Sequence, residues 1–300
     1  MGGQLRAVKR RIGSVKSTQK ITRAMELIAS SRIIKAQRRV EAARPYAETM
    51  RALMASVAKN ASSIDHPLLK QRDSVGTIGY IVITGDRGLA GAYNSNVIRS
   101  AERDMAEGSS NRLFISGKKG ISYFKFRGYD IANSWQGYSD QPKIENAREV
   151  AKSAVQAFVD GDVDEVRIAY TKFQSALTQR ATTLKLLPVP KEELEDAEPE
   201  EDTGQKANYV FEPEPEDILG YLLPRYVEGA VLQGMLEAAA SEHAARRRAM
   251  KAATDNADEL IDKLTREYNQ ARQAEITTEI MEVIGGAEAL SQAADALEDK

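Results

Sequence analysis

Cysteine is absent from the 300-residue chain, so disulfides, thiolate metal sites and thiol redox control are excluded. Aromatic residues make up only 6% and histidine occurs twice, against 29% charged residues. That balance suits long solvated helices around one modest globular part. No apolar run approaches the roughly 18 residues of a membrane-spanning helix. The N-terminus lacks the short basic start and apolar core of a secretory signal, and Met1-Gly2-Gly3 has Arg6 where myristoylation needs Ser or Thr. The expectation is a soluble protein that meets a membrane only through partners.

A formal charge of -2 conceals an asymmetry. Residues 1–59 carry fourteen Lys and Arg against three acids, Glu26, Glu41 and Glu48, a local balance of +11 (14 − 3). A basic helical arm of this kind can meet nucleic acid, acidic lipid or an acidic protein surface.

The stretch from Ser241 to Ala287 reads as one long helix. Ala249, Ala253, Ala257, Leu260, Leu264, Tyr268 and Ala271 recur at spacings of 4, 4, 3, 4, 4 and 3. This eleven-residue period, about 3.67 residues per turn, favours a nearly straight or slightly right-handed coil. Beyond Ala271 the same spacing falls on Glu275, Glu279 and Glu282, while a separate apolar row of Ile276, Ile280, Val283 and Ala287 appears. A helix that loses its seam but stays apolar has outrun one partner and touches another.

The chain divides into an N-terminal helix over 1–60, an α/β domain over 75–212 and a C-terminal helix over 215–287, followed by a disordered tail at 288–300. In the first helix Leu5, Val8, Ile12 and Val15 keep 3–4 spacing, Gln19 and Thr22 hold the next seam positions, and Ile21, Met25 and Ile28 resume it slightly rotated. Pro45 is expected to kink or split this helix, and Pro224 to kink the last one. Asp65-His66-Pro67 reads as a loop. Strands are expected at 78–84, 112–116, 129–132, 165–170 and 182–187, with helices to about Met105, at 119–126 and at 144–159. Alternation of this kind implies a small doubly wound, Rossmann-like α/β domain. The segment 191–207 holds eight acids and almost nothing apolar, and is expected to be a disordered surface loop. Tyr209-Val-Phe-Glu212-Pro213 reads as a short extended piece closing the domain. Pro215, Glu216 and Asp217 make a good helix start, and Gly285-Gly286 a stop.

Both long helices attach to one central domain, so they can pair only antiparallel. At 1.5 Å per residue the first arm is about 80 Å and the second about 100 Å. Pairing from residue 217 then runs out near residue 272, where the seam turns to glutamate. The fold class is therefore an antiparallel coiled coil of N- and C-terminal helices with a central α/β domain.

Three constellations could carry chemistry. Gly85-x-x-Gly88-x-x-Gly91 follows the first strand and could cradle phosphate at a helix N-terminus, but it has neither Gly-x-Gly-x-x-Gly order nor the Gly-Lys-Ser/Thr of a P-loop. Its glycines are better explained by a tight strand-to-helix turn. The basic arm has a single aromatic, Tyr46, which favours a solvated face meeting acidic protein over nucleic-acid binding. His66 and His243 lack metal-ligand neighbours at helical spacing apart from the adjacent Glu242, and no nucleophile–base set is present. No catalytic residue, metal ligand or cofactor-binding residue is assigned.

Several segments are familiar together. Ile12-x-Ser14-Val15-x-x-Thr18-Gln19-Lys20-Ile21-Thr22-Arg23-Ala24-Met25, the Asp86-Arg87-Gly88-Leu89 turn, Tyr209-Val-Phe-Glu212-Pro213, Met250-Lys-Ala-Ala-Thr-Asp-Asn256 and Tyr268-Asn-x-Ala-Arg272-Gln273-Ala-x-Ile276-Thr277 closely resemble the γ subunits of F-type ATP synthases. The resemblance runs from residue 1 to about 290 and departs in the acidic loop, the last residues from Leu290 and Pro224. It implies a central rotor, one per complex, whose coiled coil enters a ring of α and β subunits and whose α/β foot sits on the c-ring beside ε. It also implies a peripheral place on the cytoplasmic face of a bacterial plasma membrane, reached only through the c-ring. By position Arg272 and Gln273 match the family's contact with a β loop, and Met25 a rotor–stator contact. Tyr209, Glu212, Glu275, Ile276, Glu279, Ile280, Glu282 and Val283 complete the expected partner contacts. A coiled-coil scaffold or nucleic-acid-binding protein with a nucleotide-sensing domain is the alternative from another class; salt-sensitive binding to DNA would favour it.

Overall fold

The computed structural model describes residues 2–60, 66–72, 74–106, 110–190 and 214–298. The elements in chain order are α1 (Gly2–Asn60), a 3-10 turn (Pro67–Leu69), β1 (Thr77–Ile83), α2 (Tyr93–Met105), β2 (Ser110–Ser116), α3 (Lys118–Phe126), β3 (Ile131–Trp135), α4 (Ile144–Val159), β4 (Glu165–Phe173), β5 (Gln179–Leu187) and α5 (Pro215–Glu298). The chain forms two compact units, Ile28–Ala249 and Met1–Leu27 with Met250–Lys300.

The larger unit is built on a five-stranded sheet of order β3-β2-β1-β4-β5. The first four strands run parallel and β5 pairs antiparallel with β4, from Val166 opposite Leu187 to Phe173 opposite Gln179. Strand order reverses between β2 and β4 on either side of β1, the doubly wound pattern the alternation implied. On one face Val97, Ile98 and Ala101 of α2 and Phe124 of α3 pack against Tyr80, Val82 and Leu113. On the other, α4 joins Met54 and Val57 of α1 and Leu219, Leu223, Val227 and Val231 of α5 in a single core. These α5 residues recur every four positions, so one stripe of the helix is fully buried. Each contributes about 1.5–3 kcal/mol relative to exposure.

Neither proline divides its helix. Pro45 is exposed, on the side away from the seam residues Ala43 and Ala47. Pro224 lies between the fully buried Leu223 and Val227, and the position one turn back, where the ring presses, is Gly220 with open space around it. Core packing on both sides outweighs the lost donor. Gly285-Gly286 does not end α5, which continues to Glu298 through the stretch expected to be a disordered tail. A C-terminal glycine stop needs a left-handed backbone, and neither glycine has a positive φ.

The two long helices carry a seven-residue repeat. Along α1 the covered positions run Leu5, Val8, Ile12, Val15, Gln19, Thr22, Glu26, Ala29, Ile33, Ala36 and Val40, alternating steps of three and four. Ile21 and Ile28, expected to resume the seam, are 61% and 55% exposed. The seam passes through polar residues instead because they find partners: the Thr22 and Thr254 hydroxyls lie 2.8 Å apart in a buried pair, and Gln19 donates to Asp258. From Met250 onward the buried positions of α5 are Met250, Thr254, Ala257 and Leu264, with Ala253 only half-buried. This repeat of 3.5 residues per turn favours a left-handed supercoil and replaces the eleven-residue period read from the alanines. Within each unit the helices run antiparallel. Thr22 faces Thr254 and Gln19 faces Asp258 in one; in the other, Ala36 and Val40 cluster with Leu236 and Ala240, and Tyr46 packs against Gly229.

Candidate partner-contact site and the foot of the helix pair

Past Ala271 the seam of α5 fades. Ala271, Glu275 and Thr278 are half-buried, and every residue from Glu279 to Glu288 is exposed. Arg272, Gln273, Glu279 and Glu282 point to solvent among the described residues, and Ile276, Ile280 and Val283 are 43%, 53% and 73% exposed. Met281 and Ile284 are exposed as well. Ile284 continues the apolar row of Ile276, Ile280 and Val283, and Met281 widens it. Both were missed as candidates although Ile284 follows Ile280 by one turn. An uncovered apolar row on a solvated helix costs hydration free energy unless a partner covers it. Met25 is half-buried on α1 and is not brought to this tip. With Thr22 opposite Thr254, it lies about 20 residues, or about 30 Å of helix, from Arg272. Tyr209 and Glu212 lie outside the described residues, as does the acidic segment 191–207.

A second constellation, in the larger unit, joins segments far apart in sequence. The Gly85–Gly91 turn is closed by its own backbone needs and by α5. Gly91 has φ +55, and a β-carbon at Gly85 would come within 2.9 Å of the Glu242 carboxylate. The Gly85 N–H donates to Asn94 Oδ1 at 2.8 Å. Arg246 Nη2 donates to the Gly88 carbonyl at 3.2 Å and to Glu242 Oε1 at 2.6 Å. Glu242 is thus turned onto the turn and its arginine, and burial raises its pKa even against the favourable Arg246 charge.

His243, next along the helix, is 3% exposed and its Nε2 lies 3.3 Å from Asp140 Oδ1. Burial pushes its pKa down to about 4, aided by the Arg246 and Arg32 charges and opposed by Asp140. The imidazole is therefore neutral at pH 7, buried with its Nε2 turned to the Asp140 carboxylate. His66 instead caps the 3-10 turn, its Nδ1 accepting from the Leu68 N–H at 3.2 Å. Among the described residues no group of three or more His, Asp and Glu is placed to hold a metal ion.

In doubly wound folds ligands bind in the crevice beyond the carboxyl ends of the strands at the point where strand order reverses. Here α5 lies along that crevice. Ser241 Oγ donates to the Thr171 carbonyl at 3.1 Å, the Phe173 N–H donates to Glu237 Oε2 at 3.1 Å, and Arg248 donates to the Ala176 carbonyl at 3.1 Å. A cavity of about 380 Å³ remains between Gly91, Tyr93, Thr171, Gln179, Ser241 and Arg248. No helix among the described residues is long and apolar enough to cross a membrane.

Comparison with known proteins agrees with this architecture. Residues 4–290 match the ATP synthase family. The ATP synthase gamma chain of Thermobifida fusca is 47% identical over 301 residues, covering 98% of both chains. That of Acidothermus cellulolyticus is 48% identical over 298 residues, covering 97% of this chain and 98% of the relative. Among solved structures, a chain of the Euglena gracilis mitochondrial ATP synthase in rotational state 3 superposes with a TM-score of 0.70 at 19% identity, over 97% of this chain and 95% of that one. A chain from the rotor of the same enzyme in rotational state 1 gives 0.63 at 17% identity, over 92% and 100%. The fold is shared at these identities, and the sequence likeness to the bacterial gamma chains is near full length: the chain belongs to the ATP synthase gamma-chain family.

Proposed function

We propose that this chain is the central rotor of an F-type ATP synthase and transmits torque between a proton-driven c-ring and the catalytic β subunits without making or breaking bonds itself. The observation that carries the proposal is the uncovered apolar row Ile276, Ile280, Val283 and Ile284 on a helix that has left its seam. Such a tip suits a shaft end seated in a sleeve of other subunits. Arg272 and Gln273 precede it on the same exposed helix and are assigned to a β loop; Glu275, Glu279 and Glu282 flank it. Tyr209 and Glu212 are assigned to partner contact through their motif. The basic face of α1 favours acidic protein surfaces, and Met25 is placed against an acidic lever of β. The α/β foot is assigned to the c-ring and ε, which makes the chain peripheral on the cytoplasmic face of a bacterial membrane. No cofactor is assigned to it.

Purification of the native complex through an affinity tag on this chain tests the reading. One copy per nucleotide-hydrolysing complex with α, β, ε and c subunits is expected. Ile280→Asp with Val283→Asp should weaken assembly or coupling while leaving the melting temperature of the chain nearly unchanged, because substitutions at such exposed positions cost within about 0.5 kcal/mol. Recovery of the chain alone, or bound to DNA, would contradict the rotor.

A further inference from the structure

A rotor works only if its foot and its shaft turn together, so the attachment of both long helices to the sheet must resist twisting. The loop at 137–141 makes that attachment to both helices at once. Asp140 Oδ1 accepts from Arg32 Nη1 of α1 at 2.7 Å and faces His243 Nε2 of α5 at 3.3 Å. Arg39, two turns beyond Arg32 on the same face of α1, donates to Gln141 Oε1 at 3.2 Å.

The loop is not a loose strap. Asp86, in the turn three residues past β1, accepts at Oδ2 from the Gly137 N–H at 3.0 Å and the Ser139 N–H at 3.3 Å, and at Oδ1 from the Lys118 N–H at 3.0 Å. Its own N–H donates to Ser139 Oγ at 3.1 Å. Gly137 takes φ +85, a conformation that favours glycine, to make the bend. One carboxylate in the turn that leaves β1 thus fixes the loop backbone, and a second carboxylate on that loop is presented to both helices. An exposed arginine–carboxylate pair alone contributes little. Asp140 differs because its backbone is already ordered, so little side-chain and loop entropy opposes the contact. Its second neighbour, His243, is almost wholly buried.

We propose that Asp140 is a positioning residue for torque transfer: it clasps α1 through Arg32 and α5 through His243 to the sheet-anchored 137–141 loop, so that rotation of the foot is delivered to the shaft without slip. The proposal rests on the rotor reading above. Arg32 and His243 lie just inside the bounds of the larger unit at Ile28 and Ala249, where the two helices pass out of it. A clasp at that level ties both helices to the sheet where they leave the foot.

The test uses the assembled membrane enzyme carrying Asp140→Ala, with ATP hydrolysis and ATP-driven proton transport measured on the same preparation. Hydrolysis is expected to persist while the ratio of transport to hydrolysis under a proton load falls about two- to five-fold, the factor a partly exposed ion pair can supply. Asp140→Asn, which keeps the acceptor oxygen for Arg32, should restore most of the ratio. If Asp140→Ala does not assemble, Arg32→Ala with Arg39→Ala removes the α1 half of the clasp at a half-buried and an exposed position and should lower the same ratio. An unchanged ratio in the assembled variant, or transport and hydrolysis falling together at constant ratio, overturns the clasp. A wild-type enzyme containing this chain that hydrolyses ATP but transports no protons would overturn the rotor reading instead.

Discussion

Gly85 stands so close to Glu242 that a β-carbon on it would come within 2.9 Å of the carboxylate carbon and of Oε2. The first turn of the α/β domain therefore touches the C-terminal helix with bare backbone. Because Glu242 is buried and held by Arg246, it cannot simply swing aside.

Gly85→Ala should destabilise the chain by about 1–3 kcal/mol through this overpacking, and Glu242→Ala in the same chain should remove most of the penalty. Gly117→Ala should cost more and resist rescue. There φ is +106, and the new carbon would meet the Thr84 carbonyl oxygen at 2.1 Å, a backbone group that cannot move away alone. Urea denaturation of the single and double variants orders these costs; equal losses at the two glycines would contradict the argument.

The buried His243 predicts an acid-side loss of stability. Its pKa is about 4 when folded and about 6.5 when unfolded, so between those values the unfolded chain binds the extra proton and stability falls as pH falls. The full shift corresponds to about 3 kcal/mol, lost progressively from near pH 6.5 to near pH 4. Asp140 opposes the shift and Arg32 and Arg246 strengthen it, while Glu242, whose pKa is raised by burial, contributes with the opposite sign as it protonates. His243→Gln isolates the histidine: the slope of stability against pH in this window should be shallower in the variant. Parallel slopes would show that the imidazole titrates alike in the folded and unfolded chain and would refute the burial effect.

Met25→Lys should uncouple rotation from catalysis more than it destabilises the chain. Met25 is half-buried beside the seam, next to Glu26, which holds the seam position. Where Met25 faces the acidic β lever, as proposed above, a new ammonium can capture one of its carboxylates. At an effective dielectric near 20 a close pair amounts to about 4 kcal/mol before desolvation is subtracted. A fraction of that, present in one rotary state and absent in the next, roughens rotation. Hydrolysis should persist while proton pumping falls; unchanged coupling with a lower melting temperature would make Met25 a packing residue.

The α/β domain should bind neither ATP nor NAD at micromolar concentration, despite its doubly wound sheet. The crevice where such folds hold phosphate is lined by α5, and the turn that would cradle it faces the Glu242 carboxylate and carries Asp86. The two carboxylates disfavour a phosphate, and Arg246, the buried cation at the turn, is already engaged by Glu242 and the Gly88 carbonyl. Equilibrium dialysis of the intact chain measures this directly, and saturable binding at that concentration would refute it.

Much of the fold was legible because its signals are local. The short apolar runs at β1 and β2 and the amphipathic period of Ile144–Val159 depend on neighbours in sequence, and the structure places elements there. β3 begins at Ile131, two residues later than expected, and runs on to Trp135; Tyr129, apolar enough to read as strand, packs edge-on against Phe124 and reaches Glu102 instead. The tip beyond Ala271 was readable for the same local reason, since the change from alanine to glutamate lies within one stretch of helix. The phase of the coil was not. Ala249 with Met250, and Ala253 with Thr254, offer two adjacent stripes, and only the opposite helix, by pairing Thr22 with Thr254, selects between them. Asp140, Arg32 and His243 carry no shared pattern along the chain. Their meeting depends on Asp86, in the turn just past β1, which orders the loop at 137–141 against two helices more than one hundred residues away, a relation that exists only after the sheet has formed.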